Sequence, residues 1–230
     1  MQLFYTENTD KEFYLSKEES RHISKVLRKK KGDIINFTDG NGHLLIAKII
    51  NSEINKTRVK IIDKINKEKD HNYYLHIAIS LTKNMDRFEW FLEKATEIGI
   101  DEITPIICRN SERKNVNIDR CNRIMISAIK QSLKFHKPKI NKIISFTQFL
   151  KIDFEGKKYI AHCKDLKKKE LKKENLNKKT LILIGPEGDF SENEIQKTLK
   201  NNFFSVSLGN NRLRTETAAI IGVHTIKIKE

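Results

Sequence analysis

The stretch from Leu181 to Ile220 constrains this chain more than any other. Four consecutive apolar residues, Leu181 to Ile184, read as a strand buried on both faces, as in a parallel sheet. Gly185-Pro186-Glu187-Gly188 halts that strand in a tight loop whose backbone is little covered by side chains. Ser191 and Glu194 then form the Ser-x-x-Glu pattern of a capping box, so a helix is expected from Ser191. A second strand is predicted near Phe203 to Leu208. Gly209 ends it, and another loop runs into a helix opened by Thr215 or Thr217. Two strand-loop-helix units in series place both loops at the carboxyl ends of neighbouring strands, where open α/β sheets bind their ligands.

The chain before this stretch divides in character. Up to about Asn72 it reads as all-β: Ile34 to Phe37, Leu44 to Ile50 and Thr57 to Ile62 are short apolar runs between turn signals, with Asp39-Gly40-Asn41-Gly42 the strongest hairpin signal. Ser20 to Arg28 reads as one short helix with Arg21, Lys25 and Arg28 on a shared face. Such a stripe suits phosphate contacts, and equally a solvated surface. Lys64 to Asp70 is charged and serves as a linker. From Tyr73 onward strands and helices alternate. Tyr73 to Leu81 is a strand, and Asp86 to Ile98 an amphipathic helix ended by Gly99. Ile103 to Ile107 is a strand and Ile118 to Leu133 a helix. Lys142 to Ser145 is a short apolar piece, Tyr159 to His162 a candidate strand, and Asp165 to Lys179 a lysine-rich surface segment. The class is α/β.

No apolar run approaches the roughly 20 residues needed to span a bilayer, and Met1 to Asp10 lacks the apolar core of a signal peptide. Cys108, Cys121 and Cys163 are odd in number and far apart, which speaks against a disulfide framework or zinc cluster. A reduced, cytoplasmic protein is expected. The net charge of +15 favours a polyanionic partner, although a lysine-, asparagine- and isoleucine-rich composition also follows from AT-rich coding.

The chain has no Walker loop, no Gly-x-Gly-x-x-Gly and no Gly-x-Ser-x-Gly, and its seven histidines show no metal-ligand spacing. No metal is expected. What remains is two loops, Gly185 to Gly188 and Gly209 to Thr217, that carry backbone amides with Glu187, Arg212, Arg214 and Glu216. Arg214 sits at a helix start against the helix dipole, which points to an anionic partner, either a phosphate or a base losing its proton.

Ile-Gly-Pro-Glu-Gly-x-Phe-Ser and Leu-Gly-x-x-x-Leu-Arg-Thr-Glu-Thr-Ala closely resemble the signatures of the RsmE family. These are SPOUT-superfamily enzymes that methylate N3 of a particular uridine in 16S ribosomal RNA. The resemblance covers nearly the whole chain. Arg21-His22, Val26-Leu27-Arg28, Gly32-Asp33 and Asp39-Gly40 resemble the family's PUA-like domain. Lys83, Asp86-Arg87, Trp90, Lys94 to Gly99, Ser111-Glu112-Arg113 and Gln131-Ser132 resemble its catalytic domain. Lys130 stands where an acid is usual, and Asp189 where a second glycine is usual.

The resemblance implies a PUA-like β-barrel that binds RNA over residues 1–70 and a SPOUT domain with a deep trefoil knot over 71–230. It further implies S-adenosylmethionine as cofactor, the small ribosomal subunit as partner, and a homodimer in which each site is completed by the other copy. Cofactor contacts are expected from Ile184, Gly185, Pro186, Glu187, Gly188, Leu208, Gly209, Leu213, Arg214, Thr215, Thr217 and Ala218. RNA contacts are expected from Arg21, Lys25, Arg28, Lys83, Arg87 and Arg113. Uridine N3 must lose its proton to attack the methyl group. Arg214 is expected to stabilise the resulting uracilate, with Glu216 or Glu187 as base. Ribose 2′-O-methylation and a non-catalytic assembly role are the alternatives.

Overall fold

The structure is a computed structural model that describes residues 2–175 and 178–230; Met1, Leu176 and Asn177 lie outside the described residues. It comprises two compact units, Met1–Lys69 with Ile129–Lys137, and Asp70–Ala128 with Pro138–Glu230.

In the first unit, β1 (Leu3–Tyr5), β2 (Glu12–Tyr14), α1 (Lys17–Arg21), β3 (Ile34–Thr38), β4 (His43–Asn51) and β5 (Arg58–Asn66) follow one another. The strands form one sheet in the order β1-β3-β4-β5-β2, with β1 parallel to β3 and the other pairs antiparallel. Alternate residues Ile35, Phe37, Leu45, Ala47, Ile49 and Val59 fill its core with Phe4, Phe13 and Ile23. The Asp-Gly-Asn-Gly hairpin forms as expected: Gly40 and Gly42 take φ of +74° and +93°, and Asp39 accepts from the backbone amides of Asn41 and His43. Residues 135–137 dock on this turn. Gly42 N donates to Phe135 O at 2.8 Å and Lys137 N to Gly40 O at 2.8 Å.

Two sequence expectations change here. The helix over Ser20 to Arg28 is not continuous: α1 passes at His22 into a π-helical turn ending at Val26, and Arg28 lies beyond it at φ +53°. The widened turn lets buried Ile23 reach the core while Ser20 Oγ accepts from Thr57 N at 3.0 Å. The charged stretch read as a linker also starts later, because β5 runs to Asn66; its charges project outward while its backbone pairs with β4.

The second unit contains β6 (Tyr74–Ser80), α2 (Met85–Ile98), β7 (Glu102–Ile107), α3 (Ile118–Gln131, of which residues to Ala128 belong here), β8 (Lys139–Ile140) and β9 (Ile144–Ser145). There follow α4 (Phe146–Phe149), β10 (Lys157–Ala161), β11 (Lys169–Glu170), β12 (Lys179–Ile184), α5 (Glu192–Lys200), β13 (Phe204–Ser207) and α6 (Thr215–Lys227). Its sheet has the order β11-β13-β10-β12-β6-β7-β8, all parallel, with β9 also on β7. The run Leu181 to Ile184 is buried on both faces. Ile182 and Ile184 join Phe88, Phe91, Leu92, Ala219 and Val223 on one side; Leu181 and Leu183 join Phe146, Phe190 and Ile195 on the other. Gly222 faces the sheet from α6, where a Cβ would make an ordinary van der Waals contact with Ile182 Cδ1 at 3.5 Å. Ser191 caps α5 through the reciprocal bonds with Glu194, and Gly99 ends α2 at φ +130°. The lysine-rich segment from Asp165, whose Leu176 and Asn177 are not described, holds β11 and a 3-10 turn at Leu171–Lys173. It is therefore not only surface loop, because Leu171 is buried in the core.

β12 and β13 were expected to be neighbours. They are not: β10 lies between them, paired in parallel to both. The error has a topological cause, since a strand contributed some twenty residues earlier in the chain leaves no mark on the local pattern of the two strands it separates.

Candidate functional site

The three strands β12, β10 and β13 end level with one another. Ala161 is opposite Ile184 on one side and Val206 on the other. Because all three are parallel, the loops that follow them emerge at one edge and enclose a cavity of about 850 Å³. That volume suits a small-molecule ligand or cofactor.

All the expected cofactor contacts but Thr217 line this cavity: Ile184 to Gly188 from the loop after β12, and Leu208, Gly209, Leu213, Arg214, Thr215 and Ala218 from the loop after β13 and the first turn of α6. Thr217 is half-buried on α6 and not part of the wall. Thr215 joins the two loops, its Oγ1 donating to Gly185 O at 3.1 Å. Gly209 needs to be glycine for its φ of +137°. Gly185 and Gly188 are small for another reason: a Cβ would approach the Phe190 ring at 3.0 Å and Asn110 Cβ at 3.1 Å, respectively. The loop after β12 is thus shaped by close protein packing. Asn110 adds to it, its Nδ2 donating to the carbonyls of Gly188 and Asp189.

The third wall, Ala161 to Lys164 with Lys168, was not foreseen as part of the site. Only the position of β10 in the sheet reveals it. Lys168 Nζ donates to His162 O at 3.0 Å and Lys164 O at 2.7 Å. His162 is 7% exposed; its Nε2 lies 3.0 Å from Ser205 Oγ, while Nδ1 has no partner among the described residues. Burial, reinforced by the Lys168 ammonium, lowers the His162 pKa against the opposing pull of Asp189, so the ring stays neutral near pH 7.

The charged candidates separate in space. Arg214 is exposed on the cavity wall as the N-cap residue of α6, with no side-chain capping bond and no ion pair among the described residues. Glu187 is also on the wall and exposed, its Oε1 accepting from Lys83 N at 2.9 Å. Glu216 is 7% exposed and does not line the cavity. Its Oε1 lies 3.9 Å from Arg87 Nε, and Oε2 is without a partner among the described residues. At helical spacing Glu216 projects away from the face that carries Thr215 and Ala218.

Of the expected RNA contacts in this unit, Arg113 donates to Lys83 O, Lys83 Nζ pairs with Glu112 at 3.1 Å, and Arg87 faces Glu216. Lys83 and Arg113 thus form a cluster with Glu187 beside the loop after β12. In the first unit Arg21, Lys25 and Arg28 are all exposed, although not on one regular helical face. Lys130, where an acid is usual, lies 3.8 Å from Glu19, whose pKa burial raises despite that lysine.

A parallel α/β sheet with a three-loop cavity at its carboxyl edge, in a chain that also carries a small β module, defines a ligand-binding α/β domain with an accessory unit. A profile of the RNA methyltransferase domain matches residues 69–227 and one of the RNA methyltransferase PUA domain residues 15–64. Ribosomal RNA small subunit methyltransferase E of Mesomycoplasma hyopneumoniae is 32% identical over 94% of this chain and 94% of its own. The enzyme of the same name from Buchnera aphidicola is 30% identical over 94% and 88%. Among solved structures, a probable rRNA-methyltransferase from Porphyromonas gingivalis is 35% identical with a TM-score of 0.94, covering 99% of this chain and 98% of that one. A ribosomal RNA small subunit methyltransferase E from Neisseria gonorrhoeae, bound to S-adenosyl methionine, is 26% identical with a TM-score of 0.88, covering 100% and 98%. The chain belongs to the ribosomal RNA small subunit methyltransferase E family.

Proposed function

We propose that this protein transfers a methyl group from S-adenosylmethionine to N3 of one uridine in 16S ribosomal RNA. The observation that carries the reading is the cavity built by the loops after β10, β12 and β13, in a chain of this family. The cavity fits the cofactor: it is large enough, its walls mix apolar Ile184, Leu208, Leu213 and Ala218 with backbone amides, and buried His162 Nδ1 has no partner among the described residues. When bound, S-adenosylmethionine supplies a methyl group activated on a sulfonium. The residues of the chain do the rest. Glu187, open on the wall with Lys83 N on one carboxylate oxygen, takes the proton from uracil N3 with the other. Arg214, held at the start of α6 without an ion pair among the described residues, stabilises the negative charge that develops on the ring. Glu216 has the supporting task of orienting Arg87. The loops align the reacting groups.

Residues 1–70 act as the PUA-like, barrel-forming RNA-binding domain through Arg21, Lys25 and Arg28, while Lys83, Arg87 and Arg113 carry RNA beside the cavity in residues 71–230. In this reading the C-terminal segment forms a trefoil knot, as membership of this family implies. The working form is a cytoplasmic homodimer. Trp90, 44% exposed on α2, is one of the exposed large apolar side chains that a second copy would cover in this reading. Among the described residues no helix is long and apolar enough to cross a membrane. Calorimetry with S-adenosylmethionine, paired with methyl transfer to small-subunit RNA from cells lacking the enzyme, tests the proposal. Saturable binding with incorporation of label supports it; binding without transfer to any RNA or subunit would leave an assembly factor.

A further inference from the structure

Asp189 is one of four non-glycine residues with positive φ among the described residues, at +62°. Such a conformation is disfavoured for a residue with a Cβ, although aspartate tolerates it better than most. The backbone alone explains why the chain turns here: Asp189 N donates to Pro186 O at 2.9 Å, and Asn110 Nδ2 donates to Asp189 O at 3.0 Å. Glycine would satisfy both bonds with less strain. The side chain therefore has a task that the turn does not require.

Its carboxylate spans two loops. Oδ1 accepts from Phe190 N at 2.8 Å, within the loop after β12, and Oδ2 accepts from Cys163 N at 2.9 Å, in the loop after β10. The same short segment is gripped from the carbonyl side by Lys168, which donates to His162 O and Lys164 O. Three successive residues of the cavity wall thus have a backbone group bonded to a charged side chain: the carbonyls of His162 and Lys164 to an ammonium, and the amide of Cys163 to a carboxylate. Bonds to charged groups of this kind are stronger than neutral ones.

We propose that Asp189 is a positioning residue that clasps the loop after β10 to the loop after β12 and so preorganises the cofactor cavity. The inference rests on the S-adenosylmethionine reading above. Loops held in the binding-competent arrangement before the ligand arrives lower the ordering cost of binding. Removing the clasp should weaken cofactor binding while leaving the chemical step intact once the cavity is filled.

The test uses the full-length protein and S-adenosylmethionine itself. Asp189→Gly keeps the turn and removes the carboxylate. The cofactor Kd by calorimetry and the cofactor KM should both rise about tenfold, the share of one charged hydrogen bond expressed in binding. Meanwhile kcat at saturating cofactor and RNA affinity should stay near wild type. Asp189→Asn tolerates the same φ and can still accept from Cys163 N, but not from Phe190 N as well, so its Kd should fall between the two. A merely structural residue would lower the melting temperature of Asp189→Gly and leave Kd and KM unchanged; that result overturns the proposal, as does a loss confined to kcat. If Asp189→Gly does not fold, a wild-type Kd in Asp189→Asn overturns it equally. Failure of the wild-type protein to bind S-adenosylmethionine would instead refute the underlying reading, which keeps the two failures apart.

Discussion

Replacing Arg214 by alanine should separate catalysis from binding more sharply than any other single change. The side chain is exposed, caps nothing, and has no ion pair among the described residues, so its loss removes no contact from the fold. A cation at a helix N-terminus opposes the dipole by roughly 0.3–1 kcal/mol, so Arg214→Ala should melt at or slightly above the wild-type temperature. If the guanidinium acts on charge that appears only in the transition state, its removal costs about 2.7–4 kcal/mol, as for one oxyanion-hole donor, or a rate roughly 100- to 1000-fold lower. Arg214→Lys should recover part of that, because a point charge does not reproduce a planar fork. Single-turnover methyl transfer with saturating RNA and cofactor isolates the step from binding. A near-normal rate together with weakened RNA affinity would refute the reasoning and make Arg214 a phosphate clamp.

Three further outcomes follow from the geometry. Glu187→Gln should lower the same rate by roughly 100-fold or more while its pH dependence loses the base, whereas Glu216→Gln, away from the cavity, should change the rate less; the reverse order would exchange their roles. Replacing Arg21, Lys25 and Arg28 by alanine should reduce the slope of log affinity against log salt by about 0.7 to 0.9 per lost phosphate contact, with cofactor binding untouched; an unchanged slope would make them a solvated surface. His76 is buried against Thr104 Oγ1 at 2.7 Å, and burial pushes its pKa down from 6.5 to about 4. Between those values the unfolded chain binds a proton that the folded chain refuses. Stability should therefore fall as pH drops from about 6.5 to 4, with a slope on the order of 1 kcal/mol per pH unit that disappears in His76→Gln; denaturant melts across that range measure it.

Much of the second unit could be read from local pattern, because the features concerned are local. An apolar run without alternation gives a doubly buried strand, as Leu181 to Ile184 shows, and Ser191 with Glu194 marks where a helix begins. The cavity was half legible for the same reason. Its two glycine-bearing loops carry recognisable turn chemistry, whereas the wall from Ala161 to Lys164 depends on β10 entering the sheet between β12 and β13, a choice made by long-range pairing. The placement of residues 135–137 on the Gly40–Gly42 turn is equally invisible locally, resting on backbone bonds across some ninety residues of sequence. Glu216 illustrates a finer limit. Adjacent to Thr215, it was grouped with the loop, but one residue along a helix turns a side chain by about 100° and carries it off the cavity. The π-helical turn after α1 is set by the need to carry Ile23 into the core, and the left-handed Asp189 by backbone bonds to Pro186 and to the distant Asn110 side chain.

The central claim is tested most directly by identifying the nucleoside that receives the methyl group. Small ribosomal subunits from cells lacking the enzyme, incubated with the purified protein and methyl-labelled S-adenosylmethionine, would be digested to nucleosides and resolved by mass spectrometry, with the site mapped by reverse transcription. The account predicts one equivalent of 3-methyluridine and a reverse-transcription stop at a single position, both forming roughly 100- to 1000-fold more slowly with Arg214→Ala; label in a 2′-O-methylated nucleoside, or none in RNA despite cofactor binding, would contradict it.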